Sequence, residues 1–406
     1  MTTSDQASSG ATRRQFLLGG AAATAGAAAA VTIDRVAAAA SRSAAGEAVP
    51  LNGAGTVPFH GAHQAGIATA AQAHALFLAF DLLPSTDRAG LRRLMRVLTD
   101  DAARMTQGRP ALADSEPELT VAPAHLTVTF GFGPGFVARA GGAAPSWLAP
   151  LPPFGIDRLR PEYSDGDLLI QIASDDPVTV AHTARMLRKD ARAFAKERWA
   201  QSGFRRAHGS VKPGTTMRNL FGQVDGTSNP EPGTADFDEA VWSGDGWLAG
   251  GTSMVVRRIV MDLDEWDRLD RPGRDQALGR FQTTGAPLTG THEFDEPDFE
   301  ALNPLGFPVI PEFSHVRRSR SDVPSERIFR RAYNYEDVPV PGADPESGLV
   351  FVSFQADVER QFTPIQRRLD ELDLLNQWTV PVGSAVFAIP PGCAEGGYIG
   401  ETLLGA

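Results

Sequence analysis

The chain has 406 residues, of which 42% are hydrophobic and 21% are charged. These proportions are those of a globular protein and exclude a disordered or collagen-like chain. The formal net charge is −11 at pH 7, which argues against a nucleic-acid-binding protein because such a protein needs a basic face. The single cysteine, Cys393, excludes an intramolecular disulfide, a zinc cage of thiolates and covalent cofactor attachment through a C-x-x-C-H motif.

Residues 1–45 have the features of an export signal followed by a linker. The pair Arg13-Arg14 precedes an uncharged stretch rich in Ala and Gly at 18–33, and small residues form a cleavage zone at 37–40. This order is typical of a twin-arginine signal peptide. A membrane anchor is the alternative, but the stretch is short and weakly apolar beside the roughly 20 apolar residues of a stable span. The sequence predicts export by the twin-arginine machinery, to the periplasm or the extracellular medium, and no membrane span in the mature form.

Apolar runs with strand and helix periodicity alternate along the rest of the chain. The first half has predicted strands at 74–80, 125–131 and 168–172, and helical stripes at 91–98 and 180–194. The second half has predicted strands at 253–260, 348–354 and 384–389, and helices from about 263 and over 362–372. Corresponding strands start about 180 residues apart, which favours a duplication over coincidence between two ordinary α+β halves. The order predicts an α+β fold of two ferredoxin-like halves, 55–215 and 216–406.

Two glycines flank a carboxylate at the start of the second half. Gly222 and Gly226 surround Asp225 in the turn sequence 221–230. Glycines let a backbone approach a ligand closely, so Asp225 is presented at a fixed range. A surface turn with an Asx cap is the alternative for this motif taken alone.

A charged segment at 283–345 interrupts the second half and contains His315. Loops of this length in compact domains are functional or disordered. One imidazole suffices as the protein ligand of haem iron, although an isolated His is more often an ordinary surface or core residue. Further along, Arg330 and Arg331 lie among the aromatic residues of 327–335, a pattern that also fits a solvated basic strand.

Taken together, these motifs resemble the dye-decolourising peroxidases, in their twin-arginine-exported bacterial branch. The resemblance is carried by G-x-x-D-G, then His315, then R-I-F-R-R-A-Y-N-Y, and by segments 60–67, 160–171 and 354–357. It covers 55–405. It implies a dimeric α/β-barrel-like arrangement of the two halves, with one non-covalent haem b per chain in the C-terminal half.

The resemblance assigns roles to residues around the haem. It makes His315 the proximal iron ligand, Asp225 the distal acid–base residue and Arg330 the distal cation. Leu349 and Phe351, two apart on one face of a strand, are expected to pack above the haem. Two departures from the branch are visible: Ala332 follows the arginine pair where Gly is frequent, and the spacing from His315 to Arg330 is short.

Several of these assignments leave alternatives open. Arg317 is a candidate partner for a haem propionate or a simple surface arginine. Asp373 is the positional match for the carboxylate that hydrogen-bonds the ligand His, with Glu371 close by. His292, in the same charged segment, is the rival iron ligand, and its acidic surroundings suit a solvated loop better.

The implied activity is that of a haem peroxidase that reduces hydrogen peroxide and oxidises dyes or phenolic and aromatic donors in one-electron steps. Two alternatives are deferrochelatase-like release of iron from haem and a haem-binding protein without turnover. The sequence also allows a homo-oligomer. Because large dyes cannot enter a buried pocket, electrons are expected to pass through aromatic side chains, for which the candidates are Tyr333, Tyr335, Tyr398 and Trp378.

Overall fold

The computed structural model describes residues 51–339 and 345–405. The predicted signal peptide at 1–45 lies outside the described residues. Within them, no helix combines the length and the apolar character that crossing a membrane requires.

The first half contains four antiparallel strands and two long helices that pack against each other. Its elements are β1 (His74–Leu82), α1 (Arg88–Met105), β2 (Thr127–Phe132), α2 (Pro134–Ala140), β3 (Leu168–Ser174), α3 (Pro177–Ala191) and β4 (Ala195–Phe204). The strand order is β2-β3-β1-β4, and α1 packs against α3. This is the order of a ferredoxin-like unit.

The second half repeats this order with shorter helices and one broken strand. Its elements are α4 (Ala235–Val241), β5 (Thr252–Met261), α5 (Leu263–Asp267), α6 (Arg271–Leu278), α7 (His315–Ser319), β6 (Phe329–Arg330), β7 (Tyr333–Asp337), β8 (Glu346–Gln355), a π-helical turn (Val358–Phe362), α8 (Thr363–Leu372), β9 (Thr379–Ile389) and α9 (Glu401–Leu404). The strand order is β9-β5-β8, and β6 and β7 both pair with β8. Short 3₁₀ turns lie at Asn52–Ala54, Pro117–Leu119, Pro161–Tyr163, Gly246–Leu248 and Leu374–Gln377.

Two short junctions close the strands into a ring. β2 meets β9 at Phe132 and Ala388, and β4 meets β7 at Phe204 and Asn334. Each junction joins the second strand of one half to the fourth strand of the other. The predicted α+β fold of two ferredoxin-like halves, arranged like a barrel, is therefore confirmed.

The broken strand lies inside the charged segment 283–345. That segment contains α7, β6 and β7, so it supplies the second strand of the C-terminal half. The hydrophobic residues at 327–335 alternate over only a short stretch, and two arginines interrupt them. For this reason the sequence of this broken strand resembles that of a solvated one.

The two halves differ on the outer face of their sheets. In the first half, α1 and α3 cover that face with a continuous core that includes Leu91, Leu94 and Leu98, all fully buried. In the second half, α5 has five residues and α6 has eight. These helices contribute to a smaller core, and a cavity occupies part of the corresponding space. The duplicated fold thus leaves room for a ligand in its C-terminal half.

Two carboxyl groups interact where α1 meets α3. Asp101 on α1 is buried, and Asp190 lies in the last turn of α3. Burial, followed by the charge and hydrogen bond of Asp101, raises the pKa of Asp190 to about 7. The pKa of an Asp in an unfolded chain is about 3.9. The folded state therefore binds an additional proton between these two pH values, and its stability falls as the pH rises through them.

Replacing Asp190 with Asn should remove this pH dependence. Between about pH 4 and pH 7, the unfolding free energy of Asp190→Asn should fall less steeply than that of the wild type. Chemical denaturation at a series of pH values measures the difference. Asp100→Asn, at an exposed position on the same helix, is the matched control. If the unfolding free energies of the wild type and Asp190→Asn changed in parallel with pH, the folded state would not bind the additional proton at Asp190.

Candidate functional site

A cavity of about 850 Å³ lies in the C-terminal half, within the range that small molecules and cofactors occupy. Part of its wall is apolar and comes from β5, β8 and α8. The side chains concerned are Ile259, Met261, Leu349, Phe351, Ile365 and Leu369. Leu349 and Phe351 share a face of β8, as predicted, and both line the cavity.

His315 begins α7 and lies on the cavity wall. Its Nδ1 lies 2.6 Å from Oδ2 of Asp373, and Oδ1 of Asp373 accepts a hydrogen bond from the backbone N–H of Leu375 at 3.0 Å. With the carboxylate as the acceptor, Nδ1 is the donor, and in the neutral imidazole Nε2 keeps its lone pair. The imidazole is thus held in the tautomer that can bind a metal through Nε2.

The hydrogen bond to Asp373 also changes the basicity of the imidazole. Burial alone would lower the pKa of His315, but the charge of Asp373 and its hydrogen bond outweigh burial, so the pKa is raised. Arg330 opposes this rise and Asp225 adds to it. A more basic imidazole donates more electron density to a metal bound at Nε2.

Of the two acidic residues considered for this hydrogen bond, the structure pairs Asp373 with His315. Asp373 is buried at the C-terminal end of α8. Glu371 instead accepts a hydrogen bond from Arg318 at 3.0 Å, and its side chain is exposed. In the sequence both residues are simply acidic residues near the end of α8. Only the direction in which each side chain leaves the helix shows which of them can reach His315.

Asp225 and Arg330 form a second pair on the wall of the same cavity. Nη1 of Arg330 donates to Oδ1 of Asp225 at 2.9 Å. Arg330 lies on β6, which pairs with β8, so this pair belongs to the sheet side of the cavity. His315 and Asp373 belong to the helical side, where α7 packs against α8.

Asn229 holds the backbone of Arg330 and was not identified from the sequence. Its Oδ1 accepts from the Arg330 N–H at 3.0 Å, and its Nδ2 donates to the Arg330 carbonyl at 2.7 Å. Asn229 lies four residues after Asp225, so one loop positions both members of the pair. In the sequence Asn229 is marked only by its place in the turn sequence 221–230, and Asn is common in turns whatever their function.

The two glycines of the motif have different surroundings. Gly226, with φ +127°, lies on the cavity wall. Gly222, with φ +79°, does not line the cavity, and a Cβ there would lie 2.8 Å from Nε2 of Gln282. Both glycines were predicted to bring the backbone close to the cofactor; the structure instead places Gly222 where the turn passes close to Gln282.

For Arg317 two roles were considered, a partner for a haem propionate and a simple surface arginine. Arg317 does not line the cavity, and its Nη1 donates to the carbonyls of Phe299 and Ile310 at 2.8 and 3.2 Å. Two residues along a helix correspond to about 200° of rotation, so Arg317 points away from the face that carries His315. Other arginines line the cavity, namely Arg257, Arg280, Arg320 and Arg327. Arg280 is buried, and sequence reasoning missed it.

His292, the rival iron ligand, and Arg331, the second arginine of the pair, lie outside the cavity wall. His292 has an 83% exposed side chain and contacts Thr291. Arg331 is buried and donates to the carbonyl of Ala70 and to Oε1 of Gln72. Neither residue belongs to the group formed by His315, Asp373, Asp225 and Arg330.

A barrel of duplicated ferredoxin-like halves, with one carboxylate-bound imidazole in a partly apolar cavity, defines the class of a haem-binding enzyme. Family models agree with this class. The N-terminal model of the Dyp-type peroxidases matches 64–205, and the C-terminal model matches 216–394. The chain belongs to the Dyp-type peroxidase family.

Individual relatives support the same family. A dye-decolorizing peroxidase from Thermobifida fusca is 36% identical over 361 residues, 84% of each chain. A deferrochelatase from Escherichia coli K12 is 34% identical over 376 residues, 86% of this chain and 87% of the relative. The crystal structure of a DyP-type peroxidase from Cellulomonas bogoriensis has a TM-score of 0.85 and 54% identity, over 88% of this chain and all of the other. The family predicted from the sequence is confirmed, and with it an oxidoreductase of the haem peroxidase type.

Haem is the cofactor of this family, and the residues of the cavity fit it. Haem iron needs one axial ligand from the protein, and Nε2 of His315 has no hydrogen-bond partner among the described residues. The apolar side chains of β5, β8 and α8 can contact a macrocycle, and the arginines on the wall can pair with carboxylates. The assignment of His315 as the iron ligand remains a prediction.

Replacing His315 with Ala should greatly reduce haem retention, because no second histidine of the described residues lines the cavity. The ratio of Soret to protein absorbance after gel filtration measures the haem content. His292→Ala, at an exposed position, should retain the wild-type ratio. If His315→Ala kept the wild-type haem content, another residue would have to be the iron ligand.

Replacing Asp373 with Asn should weaken the bond between iron and imidazole, because an amide does not supply the negative charge that polarises Nδ1–H. In resonance Raman spectra of the ferrous protein, the iron–histidine stretch should move to lower frequency. Glu371→Gln, two residues away at the surface, should leave the stretch unchanged. Equal spectra for both variants would show that Asp373 does not polarise the imidazole.

Proposed function

We propose that this chain is a haem b peroxidase that reduces hydrogen peroxide and oxidises dyes or phenolic and aromatic donors by one-electron steps. The observation that supports this proposal is that two hydrogen-bonded pairs line the same cavity: His315 with Asp373, and Asp225 with Arg330. When bound, haem supplies the redox chemistry. The protein supplies the ligand, the proton transfer and the charge stabilisation.

Asp225 is positioned to move a proton. Reduction of a peroxide requires a base that takes the proton from one oxygen and returns it to the oxygen that leaves as water. Arg330 occupies Oδ1 of Asp225, whereas Oδ2 has no hydrogen-bond partner among the described residues. Oδ2 is therefore the atom available to accept and return the proton.

Arg330 has a different task. Negative charge develops on the departing oxygen as the O–O bond breaks, and a fixed cation nearby stabilises it. The guanidinium keeps its charge at any working pH, and Asn229 fixes the backbone that carries it. A protein that only bound haem would have no need of this pair, so the pair favours turnover over storage.

Substituting Arg330 with Leu should slow the reaction with peroxide by about 100-fold or more, since removal of one charge-stabilising donor commonly costs this much. Stopped-flow absorbance at equal haem loading measures the rate. Arg360→Leu, at an 86% exposed position, should react at the wild-type rate. If Arg330→Leu also did so, the charge would have to be stabilised by another group.

Among the aromatic residues considered for electron transfer, the geometry favours Trp378. Trp378 packs edge-to-face on Trp266 with ring centroids 5.1 Å apart, and Trp266 stacks on Phe221 at 4.5 Å. Phe221 lines the cavity. Tyr333 and Tyr335 are buried in the core cluster shared by both halves, and Tyr398 is buried beside α9. Electrons from a bulky donor would enter through Trp378.

Release of iron from haem is the second candidate function. A relative named deferrochelatase, from Escherichia coli K12, is 34% identical to this chain over 376 residues, and this similarity supports the second candidate. Incubation with haem, followed by assays for free iron and intact protoporphyrin, distinguishes the two. Ferric iron and protoporphyrin in equal amounts would favour the deferrochelatase, whereas intact haem with dye oxidation would favour the peroxidase.

The proposal includes export by the twin-arginine route, to the periplasm or the extracellular medium. It rests on Arg13-Arg14 and the Ala- and Gly-rich stretch that follows them. A homo-oligomeric state stays a prediction.

Replacement of Arg13 and Arg14 by Lys should keep the protein in the cytoplasm, because the twin-arginine machinery recognises the arginine pair. Immunoblots of cytoplasmic and exported fractions measure the distribution. Lysine replacement of Arg92 and Arg93, in the mature part of the chain, should leave export unchanged. Continued export of the Arg13 and Arg14 variant would contradict this route.

A further inference from the structure

A second, smaller cavity adjoins Asp225 and Arg330. Its volume is about 170 Å³, and we call it the polar chamber. The lining residues used in the argument are Arg205, Thr215, Thr216, Asp225, Asn229 and Arg330. The apolar side chains of the haem cavity and His315 do not line it. Thr215 is exposed, so the polar chamber lies next to the protein surface.

Arg205 contributes a guanidinium whose terminal nitrogens are unpaired within 51–339 and 345–405. Its Nε donates to the carbonyl of Ala332 at 2.8 Å, and the group lies 4.8 Å from the ring centroid of Tyr333. These two contacts fix the plane of the guanidinium. Both Nη atoms remain available as donors, in contrast to those of the nearby Arg331, which donate to backbone and amide oxygens.

The charges around the polar chamber do not balance. Arg330 is paired with Asp225. Arg205 donates to a neutral carbonyl oxygen and forms no salt bridge with a described carboxylate. The carboxylate of Glu293 accepts from the hydroxyls of Thr216 and Thr227. Two guanidinium groups, those of Arg205 and Arg330, and one carboxylate, that of Asp225, line the polar chamber, and this excess of positive charge attracts an anion.

We propose that the polar chamber binds a small planar oxyanion, such as nitrate, bicarbonate or a short carboxylate, between Arg205 and Arg330. A guanidinium presents two parallel N–H donors that match two oxygens of such an anion. The volume holds a four-atom anion with a few waters. An anion at this position draws Arg330 away from Asp225 and slows the reaction with peroxide. This last step rests on the proposed function, whereas binding of the anion does not.

Isothermal titration of the haem-loaded protein with sodium nitrate tests the site, with formate as the carboxylate and chloride as a spherical anion for comparison. Nitrate should bind saturably to the wild type, and at least about tenfold more weakly to Arg205→Gln, because the variant loses the charge-assisted hydrogen bonds of the guanidinium. Arg205→Lys keeps the charge without the planar fork, so it should reduce the preference for nitrate over chloride. Arg206→Gln, at the exposed neighbouring position, should bind like the wild type.

A crystal grown in nitrate should show the anion in contact with Arg205. Absence of saturable binding would overturn the proposal, as would equal weakening by Arg205→Gln and Arg206→Gln, which would indicate general screening by salt. Binding at the iron would change the Soret band and persist in Arg205→Gln, and this result would also overturn the site.

Stopped-flow reaction with peroxide at saturating nitrate tests the second step. The wild type should slow and Arg205→Gln should not. Nitrate bound in the polar chamber with an unchanged peroxide rate would retain the binding site and overturn its coupling to Arg330. Because the titration involves no turnover, the binding result stands even if the proposed peroxidase function fails.

Discussion

The hydrogen bond between His315 and Asp373 determines the arrangement of the helical side of the cavity. His315 starts a five-residue helix inside a long insertion, and Asp373 ends α8. A helix of this length has little stability of its own. Asp373 helps to hold the insertion against α8, because it binds the imidazole through one oxygen and the Leu375 backbone through the other. The same contact fixes the tautomer of the imidazole, so structural support and ligand chemistry depend on one carboxylate.

The cavity lies in one half of a duplicated fold because the helices of the two halves differ in length. Both halves contain the same four-strand order, and both present an apolar outer face. In the first half, helices of 18 and 15 residues cover that face. In the second half, shortened helices and the insertion at 283–345 leave the cavity between α8 and the sheet. The same fold thus has a packed core in the N-terminal half and a cavity for a large planar cofactor in the C-terminal half.

Sequence reasoning predicted the fold well because strands and long helices have strong hydrophobic periods. It also placed His315, Asp225 and Arg330 on one cavity, through the order of their motifs. It could not decide between Asp373 and Glu371, because two acidic residues at the end of a helix differ only in rotation about its axis. Of the two roles considered for Arg317, its position outside the cavity wall favours the surface arginine. Arg280 was missed because it follows an ordinary helix and no motif marks it.

The ring of strands has a consequence for how the protein is made. Within the part of the chain that the structure describes, β2 and β4 find their outer partners only in β9 and β7. A nascent chain that has completed β4 therefore exposes two unpaired strand edges, and the second is covered only after β9, close to the C-terminus, has emerged. Exposed edges favour pairing with other chains. During synthesis the N-terminal half thus passes through a period in which chaperones or rapid completion of the chain must protect it from aggregation.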